Sequence, residues 1–238
     1  MKRTAMVIAV LVLSSAIECL GAPRTRSGLT ISMRASQRSE DALIEYLGQA
    51  LAHTGKAVRV YFHGNCYAGE EMRVLFPVIE LQPPAKGKTG IEAVREIFRN
   101  DKNVKVQDDG SGIIKIWIGS VSSKILNTRL PSLRMDEDAQ YNPDGPGGAI
   151  AMIELTTAMK NAMDKLGVRQ MSVFFLGAME PPEKTLPHLP PSMENVTADQ
   201  ALDSIAKTFP GVVVYGECTK PSGAGLIDIE FYWFRTGN

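Results

Sequence analysis

Ala198, Ala201, Leu202, Ile205, Ala206 and Phe209 are apolar and are separated by polar positions. That spacing places them on one stripe of an amphipathic helix. Thr197 precedes the stripe as an N-cap, and Gln200 stands three residues on, as a capping box requires. Pro210 and Gly211 end the helix. Val212, Val213, Val214 and Tyr215 then predict a strand, residues 221–225 a turn, and residues 226–234 a second strand. In that last strand Ile227, Ile229, Phe231 and Trp233 share one face, and Asp228, Glu230, Tyr232 and Phe234 share the other.

A similar pattern occurs earlier in the chain. Thr89 and Glu92 have the capping-box spacing, and Ala93, Val94, Ile97 and Phe98 follow on one helical face. A short strand at residues 104–106, an Asp/Gly turn at 108–112 and a return strand at 113–118 complete the unit. From cap to strand is 15 residues both from Thr89 to Val104 and from Thr197 to Val212, which points to an internal repeat. Before the first copy, Ser39 is a candidate N-cap for a helix bearing Leu43, Leu47, Ala50 and Leu51, and residues 58–62 alternate as a strand. Residues 74–81 read as an edge strand, disturbed by Pro77. Before the second copy, residues 150–166 read as one helix stopped by Gly167, and residues 171–176 as a strand. The expected fold class is therefore α+β, with two related halves at 39–119 and 149–238, each a small antiparallel sheet backed by amphipathic helices. Residues 120–148 form the connector, with a strand at 125–135 and an acidic Pro/Gly-rich loop at 136–148. Residues 179–193 form a second, Pro-rich connector.

The N-terminus changes the picture. Lys2 and Arg3 are followed by a compact apolar run from Met6 to Leu13 and by small residues up to Gly21 and Ala22. This is the pattern of a secretory signal peptide over residues 1–22, too short to span a bilayer. Residues 23–38, with four arginines and no clear apolar period, form a leader, within which residues 29–33 are a candidate short strand. The expectation is a protein exported to the periplasm or secreted, not membrane-spanning. Lys+Arg and Asp+Glu are both 26, so no basic field points to nucleic acid. Two cysteines remain after the leader, and in an oxidising compartment Cys66 and Cys218 are the candidate disulfide.

Chemistry-bearing motifs are sparse. His63 and Cys66 lie three apart, but a zinc site needs more ligands than His53, His188 and Cys218 offer from scattered positions. Asp136, Glu137 and Asp138 beside Asp144 fit no EF-hand spacing. The glycines of residues 145–148 lack the lysine of a phosphate loop. No catalytic residue, metal ligand or cofactor is therefore assigned. The alternative enzymatic reading is a small thiol-dependent hydrolase using Cys66 and His63. A third reading is a small-ligand-binding protein with a cleft between the halves.

A strand, a capped helix and a hairpin in an exported chain resemble the short N-terminal modules of secretins and TonB-dependent receptors. Residues 78–118 carry the likeness, and Thr197-Ala198-Asp199-Gln200-Ala201-Leu202 is similar to the threonine-led helix start of that family. No secretin pore or receptor barrel follows in this sequence. The resemblance implies a non-enzymatic binding or assembly role with an envelope protein as partner. Tyr232 and Phe234, at the aromatic end of the last strand, are the candidate partner-binding residues.

Overall fold

The computed structural model describes residues 24–51, 53–68, 72–135, 145–170 and 187–234. The expected signal peptide, the strand at 171–176 and the carboxylates of residues 136–138 and 144 lie outside these residues. The chain is α+β. Helix α1 (Arg24–Leu51) leads into β1 (Ala57–His63), a ribbon of β2 (Asn65–Ala68) and β3 (Met72–Leu75), then α2 (Gly90–Ile97), β4 (Val104–Asp108) and β5 (Ile113–Ile118). β6 (Arg129–Arg134), α3 (Pro146–Glu154), α4 (Thr157–Leu166) and β7 (Val168–Gln170) follow. The described chain closes with β8 (Ser192–Thr197), α5 (Ala198–Thr208), β9 (Gly211–Thr219) and β10 (Gly225–Trp233).

Both repeats of the sequence pattern feed a single sheet. Its order is β4-β5-β1-β9-β10-β7, so the expectation of separate small antiparallel sheets is corrected to one six-stranded mixed sheet. β1 is central and runs parallel to both β5 and β9. The hairpins β4–β5 and β9–β10 are antiparallel, and β7 is parallel to β10. Read across the sheet, hairpin, return strand and earlier strand recur in the same order: β4-β5-β1, then β9-β10-β7. The second set runs in the opposite direction and carries its helices on the opposite face. Both parallel crossovers, β1 to β5 through α2 and β7 to β10 through α5, thereby keep the same hand.

Covering both faces explains why β1 is buried along nearly its whole length. Val58, Val60 and Phe62 pack with Leu43, Leu47 and Leu51 of α1, with Ala93, Val94 and Ile97 of α2, and with Val74 and Phe76. Tyr61, on the other face, joins Leu202 and Ile205 of α5, Ile150 and Ile153 of α3, Met159 of α4, and Leu130 and Met193 of the two-stranded β6–β8 sheet. Each fully buried leucine or isoleucine contributes roughly 1.5–3 kcal/mol.

Several local expectations are revised. Residues 29–33, the candidate short strand, lie within α1, which begins at Arg24, and Ser39 lies inside that helix rather than capping it. The Ser39 hydroxyl accepts from the Ile79 N–H at 3.2 Å, tethering the extended segment after β3 to α1. Pairing in β3 ends at Leu75, before Pro77, which shortens the expected strand of residues 74–81. The single helix expected over 150–166 is two helices, because the Thr156 side chain caps α4 by accepting from Met159 N. The expected strand at 125–135 is confined to β6. The capping box at Thr197 is fully formed. Its counterpart is not: Thr89 makes no side-chain cap bond, and Glu92 pairs with Arg95 at 2.7 Å instead.

Candidate functional site at the β1–β9 seam

β1 and β9 come from distant parts of the chain and lie side by side, and a cluster of charged residues, with Arg59 fully buried, gathers beside this seam. Arg59 stands in the middle of β1 with no exposed surface. Its Nη1 donates to Asp203 Oδ1 at 2.7 Å and its Nη2 to Asp199 Oδ1 at 3.1 Å. Lys115 of β5 donates to both carboxylates from the other side, at 2.9 Å each. The Tyr61 hydroxyl donates to Asp199 Oδ1 at 2.8 Å. Asp199 and Asp203 are four apart on α5 and so face the sheet together. Tyr61 lies under the Arg59 guanidinium, 4.8 Å from ring centroid to Cζ, and stacks on Trp117 with centroids 3.9 Å apart.

Two cations meet two anions here. Burial alone raises the Asp199 pKa, but Arg59 and Lys115 outweigh it and hold the carboxyl below its ordinary range. Burial lowers that of the Lys115 ammonium, and Asp203 and Asp199 outweigh it in turn, leaving it raised. Burial also pushes the Tyr61 phenol well up. The cluster holds its charges against one another and clamps α5 to the sheet. Its chemistry is that of a positioning device.

At the carboxyl ends of the same strands, Glu217 of β9 faces His63 of β1, with Oε1 3.4 Å from His63 Nδ1. That oxygen also accepts from the Ser122 backbone N–H, and Oε2 accepts from the Tyr215 hydroxyl at 3.2 Å. Glu217 is largely buried, whereas the His63 side chain is 39% exposed. The Gly64 N–H donates to Glu217 O at 2.8 Å. A Cβ on Gly64 would lie 2.0 Å from Leu75 O, so the chain turns into the ribbon only through glycine. Cys66 of β2 is bonded to Cys218 of β9, with Cα atoms 5.3 Å apart, stapling the ribbon to the sheet. The expected disulfide is present, and Cys66 in this state has no thiolate to serve as a nucleophile.

The remaining sequence candidates are dispersed. His53 and His188 are exposed. Among the described residues no group of three or more His, Cys, Asp or Glu side chains is arranged to hold a metal ion. Tyr232 points toward α1, where its hydroxyl meets Glu40 Oε1 at 3.0 Å and Glu230 Oε2 at closer range. Phe234 lies against Gly48 of the same helix. The ion cluster was missed in the sequence because Arg59 and Lys115 fit an alternation that reads as solvent-facing. The available signal was a cation within each of two strongly apolar strands, together with two aspartates at helical spacing.

Comparison of the chain with protein-family models, curated proteins and solved structures returned no match.

Proposed function

We propose that the chain is an exported, non-enzymatic binding or assembly module of the cell envelope, which engages a protein partner by strand addition. The observation that carries this reading is the outer strand β4. It borders the six-stranded sheet and has no strand on its far side among the described residues. Asn103 O accepts from Gly119 N at 3.1 Å, so residues 103, 105 and 107 turn their backbone groups to β5. By alternation, the Val106 N–H and C=O point away from the sheet, as an added strand requires. The Cys66–Cys218 bond supports an oxidising compartment. No helix of the described residues is long and apolar enough to cross a membrane, which is compatible with that reading. The likeness of residues 78–118 to secretin and TonB short N-terminal modules supports the same role.

The test is in-cell crosslinking of the tagged full chain, with Val106→Pro as control. Proline removes the outward N–H and leaves the β4–β5 ladder intact, as edge strands tolerate. One dominant envelope partner, captured by the wild type and lost in Val106→Pro at unchanged Tm, is the expected result. Equal capture by both proteins eliminates strand addition at β4.

A second reading rests on the His63–Glu217 pair. It brings a half-exposed imidazole and a carboxylate together at the carboxyl ends of adjacent parallel strands, where open α/β sheets bind small ligands. A ligand that raises the wild-type Tm and leaves that of His63→Ala unchanged supports it.

A further inference from the structure

Tyr232 holds one phenolic proton and contacts two carboxyl oxygens, Glu40 Oε1 on α1 and Glu230 Oε2 on its own strand. A phenol donates once. Two carboxylates competing for that one proton repel each other across the phenol, and a proton on either carboxyl relieves the repulsion. Asp228 extends the row on the same face of β10, and its carboxyl lies close enough to that of Glu230 for the two charges to repel.

The surroundings reinforce this demand. Asp41 flanks Glu40 on α1. Glu154 of α3, 1% exposed, approaches Asp228. Arg73 of β3 is the cation that faces Asp228. Among the described residues, the acids Glu40, Asp41, Glu230 and Asp228 outnumber the one cation, Arg73, that acts on them where α1 meets β10.

We infer that Glu40, Tyr232 and Glu230, extended by Asp228, form a proton-held latch that fastens α1 to the sheet in neutral and acidic media and opens as the medium turns alkaline. Its opening shifts a helix that packs beside α2 and the β2–β3 ribbon, so the accessible surface of that face becomes a function of pH. Burial, the Glu230 charge and Asp41 push the Glu40 carboxyl up to about 7, against the Tyr232 hydrogen bond. Burial and the neighbouring Glu230 and Glu40 push Asp228 up to about 8, against Arg73. Both acids bind protons more tightly folded than unfolded. Their contribution is therefore complete below the ordinary carboxylate range and is lost as pH rises through about 7 to 8.

Carboxyl 13C NMR of the full chain tests the first step: Glu40 is expected to titrate with a midpoint near 7, and a midpoint below about 5 overturns the latch. Normalised hydrogen-exchange protection tests the second. Between about pH 6 and about pH 9 the amides of Leu43, Leu47 and Leu51 are expected to lose about tenfold in protection relative to those of Val58 and Val60. Equal loss in α1 and β1 refutes a local release. Glu40→Gln, which keeps the shape and cannot ionise, is expected to abolish the differential loss, and its persistence in that variant also refutes the proposal. The NMR titration uses only the wild type and decides the matter even where the variant fails to fold.

Discussion

Removing the Cys66–Cys218 cross-link tests the tertiary arrangement most severely, because the bond joins residues 152 apart in sequence. In the chain-entropy description, opening a loop of that length relaxes the unfolded ensemble by about 5 kcal/mol at 25 °C. A domain of this size shifts its Tm by roughly 2–4 °C per kcal/mol, so Cys66→Ala/Cys218→Ala is expected to melt about 10–20 °C below the wild type. Cys218 is buried at 2% exposure, so part of the loss in the double variant comes from the small void left behind. Dithiothreitol-reduced wild type isolates the cross-link, since it retains both sulfur atoms. The assay is thermal melting of oxidised, reduced and doubly substituted protein, preceded by thiol titration under denaturing, non-reducing conditions. The titration should find no thiol from this pair. Two titratable thiols from these positions, or a reduced protein melting within about 2 °C of the oxidised one, would contradict the placement of β2 against β9.

Four further outcomes follow from particular contacts. Arg59→Ala leaves Asp199 and Asp203 with Lys115 and Tyr61 alone inside the fold and should destabilise by about 3–5 kcal/mol in denaturant unfolding. Asp199 is held below its ordinary range, so the unfolded chain takes up its proton first on acidification. Stability should fall as pH drops below about 4, and less steeply in Asp199→Asn, in melts across the acid range. Thr197→Ala should destabilise by about 1 kcal/mol and Thr89→Ala by less than half as much, because only Thr197 closes a capping box. Gly64→Ala forces a methyl group against Leu75 O and should lower the Tm through displacement of the ribbon, which a crystal structure of the variant would show directly.

Local chemistry was legible in the sequence wherever it is decided within a few residues. The apolar stripe of α5, its Thr197 cap, the Gly167 stop after α4 and the Asp108–Gly110 turn all appear where spacing and residue type placed them. The α+β class followed from those elements. The pairing of Cys66 with Cys218 was also readable, because two cysteines outside the leader admit only one bond. Sheet membership was decided elsewhere. Alternation shows which residues share a face of a strand, but not which strands become neighbours, and only the parallel pairing of β1 with β9 merges the strands of both repeats into one sheet. The same merger buries both faces of β1, so Arg59, which alternation alone would leave in water, is buried opposite the aspartates of α5. At Thr89 the capping-box spacing is present and the box is not formed, because Glu92 turns to Arg95. Tyr232 and Phe234 belonged visibly to one face of the last strand. That this face meets Glu40 and Gly48 of a helix beginning more than two hundred residues earlier was settled by tertiary packing, since burial of apolar area is non-directional and leaves no mark on local spacing.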